Sequence, residues 1–158
     1  MIIYNNSMNV VLTYNQFNKK HIYFSDPIDN SIIENSKFVK IIYSNQSFIM
    51  NGLCILLNIN INNTEIYFKK LKYTFDMKLN NELLSNIYNI EKQLLTYYNA
   101  ENKMHKYCIY DSLSNGYLKT FPQNNTNNNS LNNTFILKIS GIWESNKECG
   151  LTFKIISN

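Results

Sequence analysis

Apolar and polar residues alternate in short bursts over most of this chain, and the period changes only once. Val10, Leu12 and Tyr14 fall on one face, then Ile22 and Phe24 on another, with the polar NQFNKK between them, which reads as an N-terminal hairpin. Residues 26–36 hold Pro27 and several turn formers and read as a loop. From Lys37 the chain turns strand-rich: FVKIIYS, then FIMNGLCILLNI after a polar turn at 45–47, then EIYFKKLKYTF after the break at Asn62, Asn63 and Thr64. Three successive strands predict a meander, and Gly52 inside the second predicts a bulge or bend there. Over 81–98 the spacing becomes that of a helix, with Leu83, Leu84, Ile87, Ile90, Leu94, Leu95 and Tyr98 on one stripe. Asn80 is placed to cap it, and Glu82 lies in the first turn, where the helix dipole favours negative charge. So short a stripe reads as a helix laid on its own sheet rather than as a seam for a partner helix.

After the helix come a short strand candidate at 107–110, a turn at 112–116 and an extended piece at 117–121. The stretch PQNNTNNNSLNN at 122–133 is low in complexity and reads as a mobile surface loop. The chain closes with FILKISGIWE and GLTFKII around a polar turn, a β-hairpin that carries Lys138, Lys147, Lys154 and the single tryptophan, Trp143. Leaving the N-terminal hairpin aside, the order is three strands, a helix, then two strands. That is the order of an OB-fold, a small Greek-key barrel whose strand face and loops form a groove for oligonucleotides or oligosaccharides. The expected fold class is therefore mostly β (α+β), an OB-like barrel with one helix between the third and fourth main strands. It forms one domain over 1–158, with 1–36 as the N-terminal hairpin and loop and 37–158 as the barrel.

Composition sharpens this. A chain of 158 residues, 44% hydrophobic and only 16% charged, has enough apolar material for one core. Solubility falls to asparagine. There is no arginine and one alanine, Ala100, a bias that a very AT-rich coding sequence would produce and that suggests a virus or intracellular parasite. The net charge of +4 is carried by lysine alone. Lysines are point charges, suited to phosphates and poor at reading guanine edges, so any nucleic-acid contact would be sequence-nonspecific. Cys54, Cys108 and Cys149 are odd in number and widely spaced, which argues for a reducing compartment. The N-terminus lacks a basic leader and a long apolar run, and the apolar stretch at 54–61 is broken by asparagines well short of membrane-spanning length. The expectation is an intracellular protein with no membrane partner, in the host nucleus or cytoplasm if viral.

EIYFKKLKYTF holds the strongest local pattern, since Tyr67, Lys69, Lys70, Lys72 and Tyr73 interleave aromatics with cations. A single-strand groove needs that pairing, because lysines follow phosphates while aromatic faces stack on any base. Strict alternation sets Tyr67 and Lys69 on one face and Ile66, Phe68 and Lys70 on the other, so Lys70 predicts a bulge or register shift. On the last hairpin, Phe135, Leu137, Ile139, Gly141 and Trp143 share one side and Lys138 faces the other, which puts Trp143 partly in the core, with base stacking as the alternative. Lys40, Tyr43, Lys138 and Lys154 would extend the same groove. No enzyme signature competes. His105 and Cys108 have metal-like spacing without a second pair, His21 is near no glycine-rich turn, and the aspartates sit at loops and element ends. The reading is no catalysis, no cofactor and no metal.

On the layout over 38–156 and the closing pattern LKISGIWE…GLTFKI, the chain resembles the OB-fold single-stranded-DNA-binding proteins of large DNA viruses and some phages. That resemblance implies coating of exposed single-stranded DNA, with RNA left open as the alternative strand, in replication or recombination, with replication proteins or a second copy of the chain as candidate partners. The rival reading is a structural or protein-interaction component of a virion or transcription complex. It draws on an aromatic content of 14%, twelve of those residues being tyrosine, which serves protein interfaces as readily.

Overall fold

The computed structural model describes residues 2–4, 9–100, 102–121 and 133–157. Its elements in chain order are β1 (Ile2–Tyr4), β2 (Asn9–Val11), β3 (Ile22–Phe24), β4 (Ile28–Asp29), β5 (Lys37–Ser44), β6 (Ile49–Asn51), β7 (Leu53–Asn58), β8 (Ile61–Tyr67), β9 (Lys70–Phe75), α1 (Asn81–Tyr98), β10 (Met104–Lys106), α2 (Cys108–Leu113), β11 (Tyr117–Thr120), β12 (Thr134–Glu144) and β13 (Glu148–Ser157). The protein is mostly β, as its alternation predicts. Of the stretch expected to be a mobile loop, 122–132 lies outside the described residues.

β12 organises the main sheet. It pairs with β13 along its length, with β7 over its first half (Thr134↔Asn58 to Ile139↔Leu53) and with β5 over its second (Gly141↔Lys40 to Glu144↔Lys37). The change of partner falls where the register slips between Ile139 and Gly141, leaving Ser140 as the extra residue of a bulge. Gly52 lies against the same point with φ +85, and a Cβ there would stand 2.6 Å from the carbonyl oxygen of Ile139. The stretch FIMNGLCILLNI therefore bends at Gly52, as expected, and becomes two strands: β6 on β5, and β7 on β12. Gly52→Ala combines a left-handed backbone with a backbone clash. We expect it to lower stability by about 1–3 kcal/mol in urea unfolding, with Gly52→Asn no better because it meets the same oxygen.

Two sequence expectations change at the strands. The predicted N-terminal hairpin does not form, because 3-10 turns at Tyr14–Gln16 and Lys19–His21 carry the chain away. β2 pairs instead with β1 and bridges to β7 through Leu12 and Ile55, while β3 joins β5. Likewise EIYFKKLKYTF is not one strand. The chain reverses at Phe68 and Lys69, with Phe68 at φ 55, so Tyr67 faces Lys70 across a β8–β9 hairpin. With β11 on the other side of β9, these form a separate three-stranded sheet, and the expected three-strand meander is absent.

α1 spans 81–98 as predicted, and Leu84, Ile87, Ile90, Leu94 and Leu95 bury its stripe. Asn80 stands at the N-cap position, but its side chain ties loops together: its Oδ1 accepts from the Asn60 amide at 2.9 Å and its Nδ2 donates to the Asp76 carbonyl at 2.8 Å. The strand expected at 107–110 is the helix α2. Its short apolar alternation satisfies either period; the decision comes from burial of Ile109 and Leu113 one turn apart and from Glu91 of α1. The Glu91 carboxylate, fully buried, accepts the amides of Ile109 and Tyr110, each at 3.0 Å.

Burial pushes Glu91 up to about 7, against the opposing pull of the Ile109 and Tyr110 amides. A raised folded value means that the native state holds the proton longer than the unfolded chain does. Stability is therefore greatest below pH ~4.5 as far as this group is concerned, falls as pH rises, and levels off above about 7. The span of about two and a half pH units corresponds to roughly 3 kcal/mol. Urea unfolding across that window should show the slope in the native chain and a flattened profile in Glu91→Gln.

The core lies between the inner faces of the two sheets and α1. Tyr73 of the small sheet meets Phe135 of the main sheet edge to face, with ring centroids 4.9 Å apart.

Candidate nucleic-acid interface

Cross-strand register fixes which side chains share the outer face of the small sheet. Leu71, Tyr73, Phe75 and Leu118 turn inward and are wholly or largely buried. The opposite face carries three rows: Tyr67 with Lys70; Glu65 with Lys72 and Lys119; Asn63 with Thr74 and Tyr117. The turn at 68–69 is what puts Tyr67 and Lys70 on one side, so the interruption that alternation signalled at Lys70 is the end of a hairpin.

On this face cations and rings are already in contact. The Lys119 ammonium lies 3.9 Å from the Tyr67 ring centroid, Lys70 lies 4.7 Å from that of Phe121, and Lys72 lies 5.4 Å from that of Tyr117. Tyr67 also meets Phe68 edge-on at 4.9 Å. Phe68 is 86% exposed and Phe121 67%, so large aromatic faces stand in solvent beside lysines. Tyr67, Phe68, Lys69, Lys70, Lys119 and Phe121 line one shallow cleft. Lys72 is different, because Glu65 holds it in an ion pair at 2.8 Å and raises its pKa. Lys69, Lys70 and Lys119 form no ion pair among the described residues.

The other sequence candidates divide in two. Tyr43 and Tyr73 are 2% and 5% exposed and belong to the core, since each continues an inward alternation. Tyr43 stacks on Phe48 and its hydroxyl meets His21 Nδ1 at 3.1 Å, so neither tyrosine offers a face to a base. Lys40, Lys138, Lys154 and Trp143 lie on the outer face of the main sheet. For Trp143 this corrects the expected parity: the bulge at Ser140 puts Gly141 and Trp143 on the side of Lys138 and gives the core position to Ile142, which is fully buried. The indole is half-buried and packs beside Cys108 over Gly150, where an added Cβ would stand 2.9 Å from the ring and 3.0 Å from the Cys108 Sγ.

The core sides of the two sheets meet at Tyr73 and Phe135, so their outer faces look away from each other. The candidates thus form two surfaces and not one groove. Four contributors went unnoticed in the sequence: Phe68, Tyr117, Lys119 and Phe121. The signal for three of them is the alternation in YLKTF, which places Tyr117, Lys119 and Phe121 on one face of an extended segment. Among the described residues no three His, Cys, Asp or Glu side chains gather as metal ligands, and no helix is long and apolar enough to cross a membrane. No family model, curated protein or solved structure matches the chain.

Proposed function

We propose that this protein binds single-stranded DNA without sequence specificity, through the outer face of the β8–β9–β11 sheet. The observation that carries the reading is the interleaving, in one shallow cleft, of the exposed Tyr67, Phe68 and Phe121 with Lys69, Lys70 and Lys119. Rings held beside cations suit a strand whose bases stack while its phosphates are neutralised, and they discriminate little between bases. An OB-like scaffold is part of this proposal. It is supported by the element order, by the pairing of the first main strand β5 with β12, and by the closing β12–β13 hairpin. The β8–β9–β11 sheet is this chain's own departure from that plan. Coating of exposed strands in viral replication or recombination is the role that the sequence resemblance adds.

Anisotropy of labelled oligo-dT, titrated with protein at several salt concentrations and against duplex DNA, tests the proposal. Three lysines without an ion pair among the described residues give an expected log–log salt slope of about −2, at roughly −0.7 per phosphate, with the single strand preferred. Absence of binding at low salt and micromolar protein would direct the search to a protein partner.

A further inference from the structure

Lys138 of β12 and Lys154 of β13 are directly opposite each other in the register, with Cys54 of β7 completing the row. Like charges set opposite on neighbouring strands repel, and a sheet ordinarily avoids them or interposes a carboxylate. On the small sheet a carboxylate is interposed: Lys72 and Lys119 are opposite each other, and Glu65 in the same row pairs with Lys72 at 2.8 Å. Lys138, Lys154 and Lys40 form no ion pair among the described residues. Lys40 joins the same face through its pairing with Gly141, and Phe38 lays its ring over Gly141, where an added Cβ would stand 2.5 Å from it.

We propose that this face is a second polyanion site, in which Lys138, Lys154 and Lys40 take the phosphate backbone of a nucleic acid. Because it looks away from the small sheet, one molecule can then hold two segments at once. The site itself stands independently of the function proposed above; only the bridging rests on it. A phosphate ligand is favoured over an acidic peptide because lysine ammoniums act as compact point charges and a ring stands among them, the pairing that a nucleotide strand uses.

Acetylation footprinting of the lysines, read by mass spectrometry, tests the site with inorganic polyphosphate as the probe. With probe at about tenfold its dissociation constant, acetylation of Lys138 and Lys154 should slow roughly tenfold, following the free fraction. Unchanged rates would overturn the proposal, as would equal protection by polyglutamate. If oligo-dT protects Lys138 and Lys154 but leaves Lys70 and Lys119 unprotected, the second site stands and the function assigned to the small sheet fails. Bridging is read by capture of a fluorescent oligonucleotide on beads that carry another. Lys138→Gln/Lys154→Gln should lose that capture while still binding a single oligonucleotide through the small sheet, and should unfold at a temperature no lower than that of the native chain; capture that persists in the variant contradicts bridging.

Discussion

Phe135→Ala is expected to lower stability by about 3–5 kcal/mol, the cost of truncating a fully buried aromatic side chain. The ring sits on β12 between Leu57 and Ser157 in the register and receives Tyr73 at an interplanar angle of 78°. Of the loss, ~0.5–1.5 kcal/mol belongs to the aromatic pair beyond area burial. With a urea dependence of about 2 kcal/mol per molar, the unfolding midpoint should fall by about 2 M. This contact is one of those that join the two sheets in a shared core, so the variant should also fray the small sheet first, with amides of β9 and β11 exchanging faster than those of β13. A loss below about 1 kcal/mol would mean that the Phe135 ring does not lie at the centre of that core.

Tyr67→Ala/Phe121→Ala should act in the opposite sense, sparing stability and removing the proposed strand binding. Both rings are substantially exposed, at 43% and 67%, and truncating exposed side chains changes stability by only about 0.5 kcal/mol or less. Each stacked base is worth ~1–3 kcal/mol, so the pair should weaken oligo-dT binding by about thirtyfold to twenty-thousandfold. Removing the rings also frees Lys119 and Lys70 from their cation–π contacts, which leaves the phosphate contacts in place. The salt slope should therefore stay near that of the native chain while affinity falls. Lys119→Ala should do the reverse in part, reducing the slope by about 0.7.

Most elements were legible because their signals are long and local. The helix at 81–98 and the closing hairpin have enough periods to settle their type, and they stand where the pattern put them. What failed was short or depended on partners. The four residues at 107–110 satisfy strand and helix alike, and the decision came from Glu91, a residue on another helix. EIYFKKLKYTF concealed a two-residue reversal with no glycine, because Phe68 itself takes the positive φ. Trp143 changed sides through a bulge beside Gly141 that alternation counted straight through. The cation–aromatic pattern was readable at Tyr67, Lys70 and Lys72, yet its completion by Tyr117, Lys119 and Phe121 needed the pairing of β11 with β9, a long-range fact. Tyr43 and Tyr73 were over-read, since composition marks a tyrosine as a stacking candidate and only packing shows it buried.

Ultraviolet cross-linking of the native protein to oligo-dT, with the attached peptides sequenced by mass spectrometry, tests whether the aromatic residues of the small sheet meet the strand. Cross-links are expected at Tyr67, Phe68 and Phe121, suppressed by salt and absent with duplex DNA. Cross-links confined to other surfaces, with those three residues unmodified, would contradict the proposed interface.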